Sequence, residues 1–311
     1  MKQVPRDEVV ALLALLRLRP NRMTWEAIGN QVSLEGSAQA VLSGLGTADG
    51  TLFPDPGTLA RVTAERAAAE SALAKWEADK LTFVTILSDQ YPEQLAGVFD
   101  APPLLFYRGD LRPDDRGMSV VGSRKASPEG LALAAEAARI LVRNRLTVIA
   151  GLAAGIDTAA HRAALDAGGR TVAVLGTGIS RYYPAANHEL QNAIAETGLL
   201  LSQFYPDEPP TRNTFPKRNG TMSGYGLATI IIEAGEYSGA RIQARKAAGH
   251  GRPLILTEQV AQTTSWGKEL AAQRETWVRV VSTPDEIEAA VADLAADPIS
   301  RMVDQPEFAF S

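Results

Sequence analysis

Residues 118–130, MSVVGSRKASPEG, pass from a short apolar run through a glycine-bearing loop into the start of an alanine-rich helical pattern. Ser127 suits the N-cap of that helix and Pro128 suits its first helical position, because the cap accepts a free N–H and proline lacks one. A short strand that leads directly into a helix is typical of a βα unit in a parallel sheet. The stretch therefore predicts an α/β fold.

The same pattern recurs between about residues 81 and 281. Apolar runs too short for independent helices alternate with helical patterns; the runs are MSVVGS, LTVIAGL, TVAVLG, GLLLSQF, LATIIIEA, PLILTE and WVRVVS. The run TFVTIL, which precedes them, also suggests a strand. Strands separated by helices form a parallel sheet that is buried on both faces. We expect a Rossmann-like doubly wound parallel sheet, with its ligand crevice outside the carboxyl ends of the strands.

The first 80 residues have a different pattern, which predicts a small helical domain similar to SAM or helix-hairpin-helix domains. Helical patterns are expected over residues 7–18, 24–32, 38–42 and about 56–80. We place a domain boundary near residue 80. Residues 81–258 are then expected to form the Rossmann-like domain, and residues 259–311 to extend it with a strand and a helix.

Composition limits the kinds of site. The chain of 311 residues has a formal net charge of -5 and no cysteine, which excludes disulfides, thiolate metal sites and cysteine nucleophiles. No apolar run approaches the roughly 20 residues of a membrane helix, and the N-terminus lacks a signal-peptide pattern, so we expect a cytoplasmic protein without a membrane segment. A polyanion site in such an acidic protein must be local.

The first glycine-bearing strand end is GSRKASPEG, in which Gly122, Ser123 and Arg124 directly follow a strand. Glycine lets a ligand approach the backbone, the free N–H groups at a helix N-terminus attract phosphate, and a guanidinium makes bidentate phosphate contacts. The loop is therefore a candidate anion site. The alternative is an ordinary tight turn with an arginine that faces solvent.

The second strand end, GLAAGIDTAAH, begins at Gly151. We interpret Asp157 as the N-cap of the next helix and Gly168 as its C-terminal stop. Asp157 and His161 lie four residues apart on one helix face, but no third ligand stands at a recognisable metal spacing. We favour a capping aspartate and a hydrogen-bonded histidine over a metal site, and no G-x-S-x-G motif supports a Ser-His-Asp triad.

Two further strand ends carry glycines. Gly176 and Gly178 follow TVAVL, but the full dinucleotide-binding fingerprint is missing, so a simple turn is the competing interpretation. Ser238 and Gly239 lie beyond LATIIIEA, before a helix, where they are candidates for another anion-binding loop. We predict no metal and no cofactor.

The segment YPDEPPTRNTFPKRNGTMSG follows another strand, and we interpret it as an irregular edge loop rather than an immediate helix. It holds Lys217, Arg218 and Asn219. Between Glu208 and Arg252 the chain carries seven cations against three acidic residues, so positive charge is concentrated where the strand ends predict a ligand. For Arg245 and Lys246, which follow on the next helical pattern, a solvated helix face is the alternative.

These motifs, in this order, resemble the DprA/Smf family of DNA-processing proteins: VVGSRKAS, AGLAAGIDTAAH, GGRTVAVLGTGISRYYPAAN, LLLSQFYPDEPPTRNTFPKRN and IIIEAGEYSGARIQA. The resemblance covers about residues 81–258. It implies a binding protein for single-stranded DNA, not an enzyme, that acts in DNA uptake and recombination as a homodimer and helps to load a RecA-type recombinase. It also implies that Arg124, Lys217 and Arg218 contact the DNA backbone, with Asn219 beside them.

Aromatic side chains near these motifs are candidate platforms on which bases stack. The candidates are Phe215, Tyr182 and Tyr183. For Phe215, an anchoring role in the core is an equal alternative.

The sequence also departs from the family pattern. Gly220 stands where the FPxRNR motif has its last arginine, so one expected cation is lost. The chain continues after PLILTE with WVRVVSTPDEIEAAVADLAAD, a strand and a helix, instead of the winged helix of many relatives. This ending is similar to that of the related LOG-type proteins.

Two other functions therefore stay open. One is nucleotide binding or cleavage of the LOG type, with Gly122, Gly176, Gly178 and Glu233 around a nucleotide. The other is a regulatory or antitoxin-like partner in a defence system, in which the DNA groove has been partly abandoned at Gly220.

Overall fold

The computed structural model describes residues 4–45, 56–272 and 277–296. The chain divides into two compact units: Met1–Tyr91 with Phe99–Tyr107, and Pro92–Val98 with Arg108–Ser311. The first unit thus includes strand residues beyond position 80, where the sequence places the boundary. Of the expected C-terminal extension, positions 273–276 and 297–311 lie outside the described residues.

The first unit is mainly helical, as the periodicity predicts. Its elements are α1 (Arg6–Leu18), a 3-10 helix (Pro20–Arg22), α2 (Trp25–Glu35), α3 (Ala38–Ser43), α4 (Pro56–Ala78), β1 (Thr82–Thr85) and β2 (Leu104–Gly109). Side chains cap two of the helices: Thr24 Oγ1 accepts a hydrogen bond from Ala27 N at 3.2 Å, and Ser37 Oγ accepts one from Ala40 N at 3.1 Å. Each cap of this kind stabilises a helix by about 1 kcal/mol.

Strand β2 was not singled out from the sequence. It pairs with β1 in antiparallel register, Thr82 opposite Tyr107 and Thr85 opposite Leu104. The strand lies outside the alternation of strands and helices that identifies the parallel sheet. A short buried apolar run has no periodicity of its own, so nothing local distinguishes it from a loop.

Within the described residues, the second unit contains seven parallel strands, which confirm the Rossmann-like doubly wound fold. The strands are β3 (Gly117–Val121), β4 (Thr147–Ala150), β5 (Thr171–Val174), β6 (Leu199–Ser202), β7 (Thr229–Ile231), β8 (Leu254–Thr257) and β9 (Val278–Val281). Their spatial order is β6-β5-β4-β3-β7-β8-β9. The chain winds outward from β3 in one direction and returns to place β7 on its other side, so the topological switch point lies between β3 and β7.

Helices connect these strands. They are α5 (Glu93–Ala96), α6 (Pro128–Arg143), α7 (Ile156–Asp166), a 3-10 helix (Ala185–Asn187), α8 (His188–Thr197), α9 (Thr214–Tyr225), α10 (Gly239–Gly249), α11 (Glu258–Thr263), α12 (Ser265–Ala272) and α13 (Pro284–Ala296). Ser127 caps α6 as predicted, because its Oγ accepts a hydrogen bond from Gly130 N at 3.0 Å. Among the described residues, no helix combines the length and apolar character needed to cross a lipid bilayer.

The core of this unit explains the many alanines in its helices. Ala134, Ala138, Ala160 and Ala164 are fully buried in one cluster with the strand side chain Met118. Because alanine adds little bulk, helices α6 and α7 can pack closely on the sheet and on each other. Alanine is also the residue with the highest helix propensity, so helix formation and packing agree here.

The prediction of an irregular loop around Lys217 is wrong, because Thr214–Tyr225 form helix α9. Pro216 locally favours a loop over a helix. It lies, however, in the first turn of α9, where the N–H that proline lacks would have no helical partner. Most of α9 from Arg218 to Tyr225 is buried. Tertiary packing therefore stabilises a helix whose glycines give it a low intrinsic propensity.

Candidate nucleic-acid interface

The loops after β3 and β7 meet at the switch point. The Ser123 N–H donates a hydrogen bond to the carbonyl oxygen of Glu233 at 2.7 Å. A side chain at Gly122 would begin 2.7 Å from that carbonyl oxygen and 2.7 Å from Ile156 Cγ1. Glycine is therefore required at position 122 for the two loops to lie this close together.

Glu233 holds the β3 loop in place. Its carboxylate accepts hydrogen bonds from the Ser127 hydroxyl at 2.5 Å and from the Ser127 N–H at 3.1 Å. Ser127 at the same time caps α6, so the carboxylate of the β7 loop fixes the point where α6 begins. A glutamate engaged in this way orders the loop around Arg124.

Arg124 is exposed at the tip of this loop and lies over an aromatic ring. Its guanidinium carbon is 5.0 Å from the ring centroid of Phe215, on α9, which is a cation–π distance. The ring of Tyr183 is 5.8 Å from that of Phe215. A side chain at Gly176 would begin 2.7 Å from Phe215 Cδ1, so this glycine makes room for the ring.

Lys217 and Arg218 are neighbours in sequence, but α9 separates them in space. Successive residues of a helix point about 100° apart, and here Lys217 is exposed while Arg218 is only 5% exposed. Nη1 of Arg218 donates a hydrogen bond to the carbonyl oxygen of Val174 at 3.0 Å. The expectation that both cations lie together on an exposed loop is therefore wrong.

The buried guanidinium of Arg218 is balanced by Asp157. Burial lowers the pKa of Arg218, and the negative charge of Asp157 opposes that shift. Burial raises the pKa of Asp157, while Arg218 and the N–H groups of Ala153 and Gly151 oppose the rise. Asp157 Oδ2 accepts those two N–H groups at 3.3 and 3.0 Å.

Asp157 is therefore not the predicted N-cap of α7. Helix α7 begins at Ile156, its N-cap is Gly155, and the Asp157 carboxylate turns back to the loop that precedes the helix. The Gly168 prediction is confirmed: this residue has a φ of +66° just after the C-cap Ala167, and glycine adopts such a conformation readily.

His161 is a hydrogen-bonded core residue, as expected. It is fully buried, and its Nδ1 lies 2.7 Å from Thr171 Oγ1. Burial, aided by the charge of Arg218, lowers the pKa of His161 to about 3. Within the described ranges, no group of three or more His, Asp or Glu side chains is arranged to hold a metal ion.

Helix α10 begins beside α9. The Ser238 hydroxyl accepts a hydrogen bond from Ala240 N at 3.2 Å, and Asn219 Nδ2 donates one to the Gly239 carbonyl oxygen at 3.3 Å. A Cβ at Gly239 would meet no atom of the described residues within 4 Å. The first turn of α10 is therefore open to a ligand.

A cleft of about 640 Å³ joins these features, and we call it the α9–α10 cleft. From the predicted site it is lined by Gly122, Ser123, Arg124, Arg218, Asn219, Ser238 and Gly239. Lys217 is not among its lining residues and lies on the exposed side of α9.

Three predicted glycines admit other parts of the protein. A Cβ at Gly151 would overlap the guanidinium of Arg218, one at Gly176 would contact Phe215, and one at Gly178 would overlap the carbonyl groups of Tyr205 and Pro206. These positions are therefore occupied by protein atoms. The glycines correctly indicate that another group lies close to the backbone at these positions. The sequence does not show whether that group is a ligand or another part of the protein.

Among the residues that line the cleft, Lys125, Tyr237 and Gln243 were not predicted from the sequence. Lys125 is an exposed cation directly after Arg124, and its position in a glycine-bearing loop could have identified it from the sequence as a candidate phosphate contact. Gly220, by contrast, is buried in α9. An arginine at position 220 would not lie on an exposed loop, so its absence removes no cation from such a loop.

The comparisons with known proteins agree with this architecture. The model of the DNA recombination-mediator protein A family matches residues 82–291. The DNA processing protein DprA of Streptococcus pneumoniae is 43% identical over 181 residues, which are 58% of this chain and 64% of that protein. Protein Smf of Synechocystis is 38% identical over 178 residues, which are 56% of this chain and 45% of that protein. The aligned segments thus span less than two thirds of these curated relatives.

Solved structures support the assignment. The crystal structure of DprA from Streptococcus pneumoniae has a TM-score of 0.66 at 30% identity and covers 90% of this chain and 92% of that one. DNA processing protein A of Helicobacter pylori, described with a single-stranded DNA binding mode, has a TM-score of 0.60 at 23% identity over 68% of this chain and 96% of that one, and it shares the fold. The family model matches one continuous segment that contains the loops after β3 and β7 and the helices α9 and α10. The chain therefore belongs to the DNA recombination-mediator protein A family, which the sequence motifs identify as DprA/Smf.

Proposed function

We propose that this protein binds single-stranded DNA and that the rim of the α9–α10 cleft holds the phosphate backbone. One observation carries the proposal: the exposed cations Arg124 and Lys125 line the same cleft as the open first turn of α10. Backbone N–H groups at a helix N-terminus and a guanidinium are both suited to phosphate. The cleft lies at the switch point of the sheet, where ligands of doubly wound folds bind.

The buried pair of Arg218 and Asp157 also lines the cleft, and because these two charges balance each other, the positive charge at the rim comes from Arg124 and Lys125. Lys217 lies on the outer face of α9 and would meet the strand where it leaves the cleft. A strand of phosphates passing over these cations would release counterions, so binding would depend strongly on salt.

The proposal includes the role that the resemblance implies. The protein would act in the cytoplasm, in DNA uptake or recombination, as a homodimer that delivers the strand to a RecA-type recombinase and performs no catalytic turnover. For the nucleotide-binding or nucleotide-cleaving alternative, Glu233 was expected beside the nucleotide, but it is already hydrogen-bonded to Ser127, which favours a structural role. The Helicobacter pylori protein is described with a single-stranded DNA binding mode, so single-stranded DNA is the ligand to test first.

A salt titration tests the proposal. The fluorescence anisotropy of a labelled oligothymidylate is measured against protein at several salt concentrations, for the wild type and for an Arg124→Ala, Lys125→Ala double variant. Each lost contact to a single strand should reduce the slope of log affinity against log salt by about 0.7. Arg139→Ala, which removes an exposed cation of α6 paired with Glu136, is the matched control.

An unchanged slope in the double variant, or equal loss in the Arg139→Ala control, would contradict the proposal. Homodimer formation and strand delivery need separate measurements. Analytical ultracentrifugation reports the first, and recombinase filament formation on a coated strand, with and without this protein, reports the second.

A further inference from the structure

The α9–α10 cleft has an apolar wall that phosphate binding at its rim does not require. Apolar side chains form part of its wall: Val121, Pro216, Met222 and Ile242. Ile242 is 38% exposed, a high value for a large aliphatic side chain that lines a cleft. A phosphate group gains nothing from contact with apolar side chains, whereas the flat face of a nucleobase packs favourably on them.

Tyr237 lies in the loop between β7 and α10 and also lines the cleft. Its side chain is 97% exposed, so both faces of the ring are available. The other aromatic candidates are partly covered: Tyr182 lies 3.9 Å from the His188 ring, and Phe215 lies between Arg124 and Tyr183. Base–aromatic stacking requires a free face, and Tyr237 has one.

We propose that the α9–α10 cleft accepts one unpaired base of the bound strand. Tyr237 stacks on this base at the mouth, and the apolar side chains of Val121, Met222 and Ile242 pack against it. The phosphates on either side stay at the rim, near Arg124 and the first turn of α10. This inference rests on the proposed function and adds to it a subsite that is specific for unpaired bases.

The experiment compares two labelled strands of equal length and equal charge. One is an oligothymidylate and the other carries abasic sites in place of its bases. The full chain should bind the oligothymidylate about tenfold or more tightly, because stacking contributes only to the first strand. Tyr237→Ala should remove most of that difference and leave the affinity for the abasic strand unchanged, whereas Tyr237→Phe should retain it.

Two variants separate the subsite from general effects. Ile242→Asn replaces exposed apolar surface of the cleft wall with a polar side chain, so it should weaken binding of the oligothymidylate and spare the abasic strand. Tyr182→Ala removes a partly exposed tyrosine that does not line the cleft, and it should change neither affinity. Circular dichroism confirms that each variant is folded.

The outcomes are distinct. Equal affinity of the wild type for both strands would overturn the base subsite and leave phosphate binding intact. Binding of neither strand would overturn both proposals. Competition by thymidine monophosphate as effective as competition by the strand would assign the cleft to a free nucleotide, and the base of a bound strand would not be its ligand.

Discussion

The guanidinium of Arg218 lies in the space where a side chain at residue 151 would begin, so Gly151 and Arg218 depend on each other. Gly151 directly follows β4, and Arg218 projects from α9 to reach the Val174 carbonyl group at the end of β5. The N–H of Gly151 also binds the carboxylate of Asp157, which balances the arginine. The missing side chain thus admits Arg218, and the backbone N–H of the same residue holds its counter-charge.

Gly151→Ala should destabilise the protein because the new methyl group displaces the Arg218 guanidinium from its site. We expect the free energy of unfolding to fall by about 1–3 kcal/mol, as for overpacked cores. Urea denaturation measures it. Gly235→Ala is the control, since a Cβ at position 235 meets no atom of the described residues within 4 Å and should change stability by at most about 0.5 kcal/mol. Equal effects of the two substitutions would show that Arg218 can move without cost.

The buried His161 should make the protein sensitive to acid. Its pKa is lowered to about 3 in the folded state by burial and by Arg218, against an ordinary value of 6.5 in the unfolded chain. Below pH 6.5 the unfolded chain therefore binds a proton that the folded protein does not. This contribution to stability is complete above pH 6.5 and is lost as the pH falls toward 3, at about 1.4 kcal/mol per pH unit.

The measurement is the free energy of unfolding between pH 7 and pH 4.5, for the wild type and for His161→Gln. Glutamine does not titrate, so the variant should lose less stability over this range than the wild type. His188→Gln is the control, because His188 is exposed. Parallel pH profiles for the wild type and His161→Gln would show that the histidine takes up its proton in the folded state.

The sheet could be predicted from the sequence because its signal is local. A strand such as Gly117–Val121 is apolar throughout, and the serine cap and proline of the next helix follow within a few residues. Helix α9 could not be predicted in this way. Its proline and glycines oppose a helix locally, and only its burial within the second unit stabilises it.

The candidate site could be predicted only in part. Arg124, Ser238 and Gly239 line one cleft, as expected because the strand ends of a parallel sheet meet at one edge. The burial of Arg218 could not be foreseen, since a charged residue is normally exposed and the cavity that accepts it depends on Gly151, far away in the chain. Tyr237 was missed because its importance lies in a bare ring face, which a sequence does not show.

Phe215 should support DNA binding through Arg124, if the proposed function is correct. Removal of the ring in Phe215→Ala deprives the guanidinium of a cation–π contact worth about 0.5–1 kcal/mol at an exposed site, so affinity for a single strand should fall about two- to fivefold. Phe215→Tyr keeps the ring and should bind normally. Anisotropy measurements of both variants test this.

A double-mutant cycle shows whether the ring acts through the arginine. Once Arg124 is alanine, Phe215→Ala should have little further effect, because the ring has no guanidinium left to position. Additive losses in the double variant would instead mean that Phe215 contacts the strand itself.

Gly220→Arg, which restores the arginine of the family motif, should destabilise this protein rather than strengthen its binding to DNA. Gly220 is buried within α9, so a long charged side chain there must either displace its neighbours or leave a charge in the interior. We expect a loss of about 2 kcal/mol or more in the free energy of unfolding, with no gain in affinity for a strand. Lys217→Arg is the control for an arginine added to α9, because position 217 is exposed and should tolerate it. If Gly220→Arg instead keeps its stability and binds a single strand more tightly with a steeper salt slope, its side chain reaches the phosphates, and the substitution at this position has weakened the DNA groove.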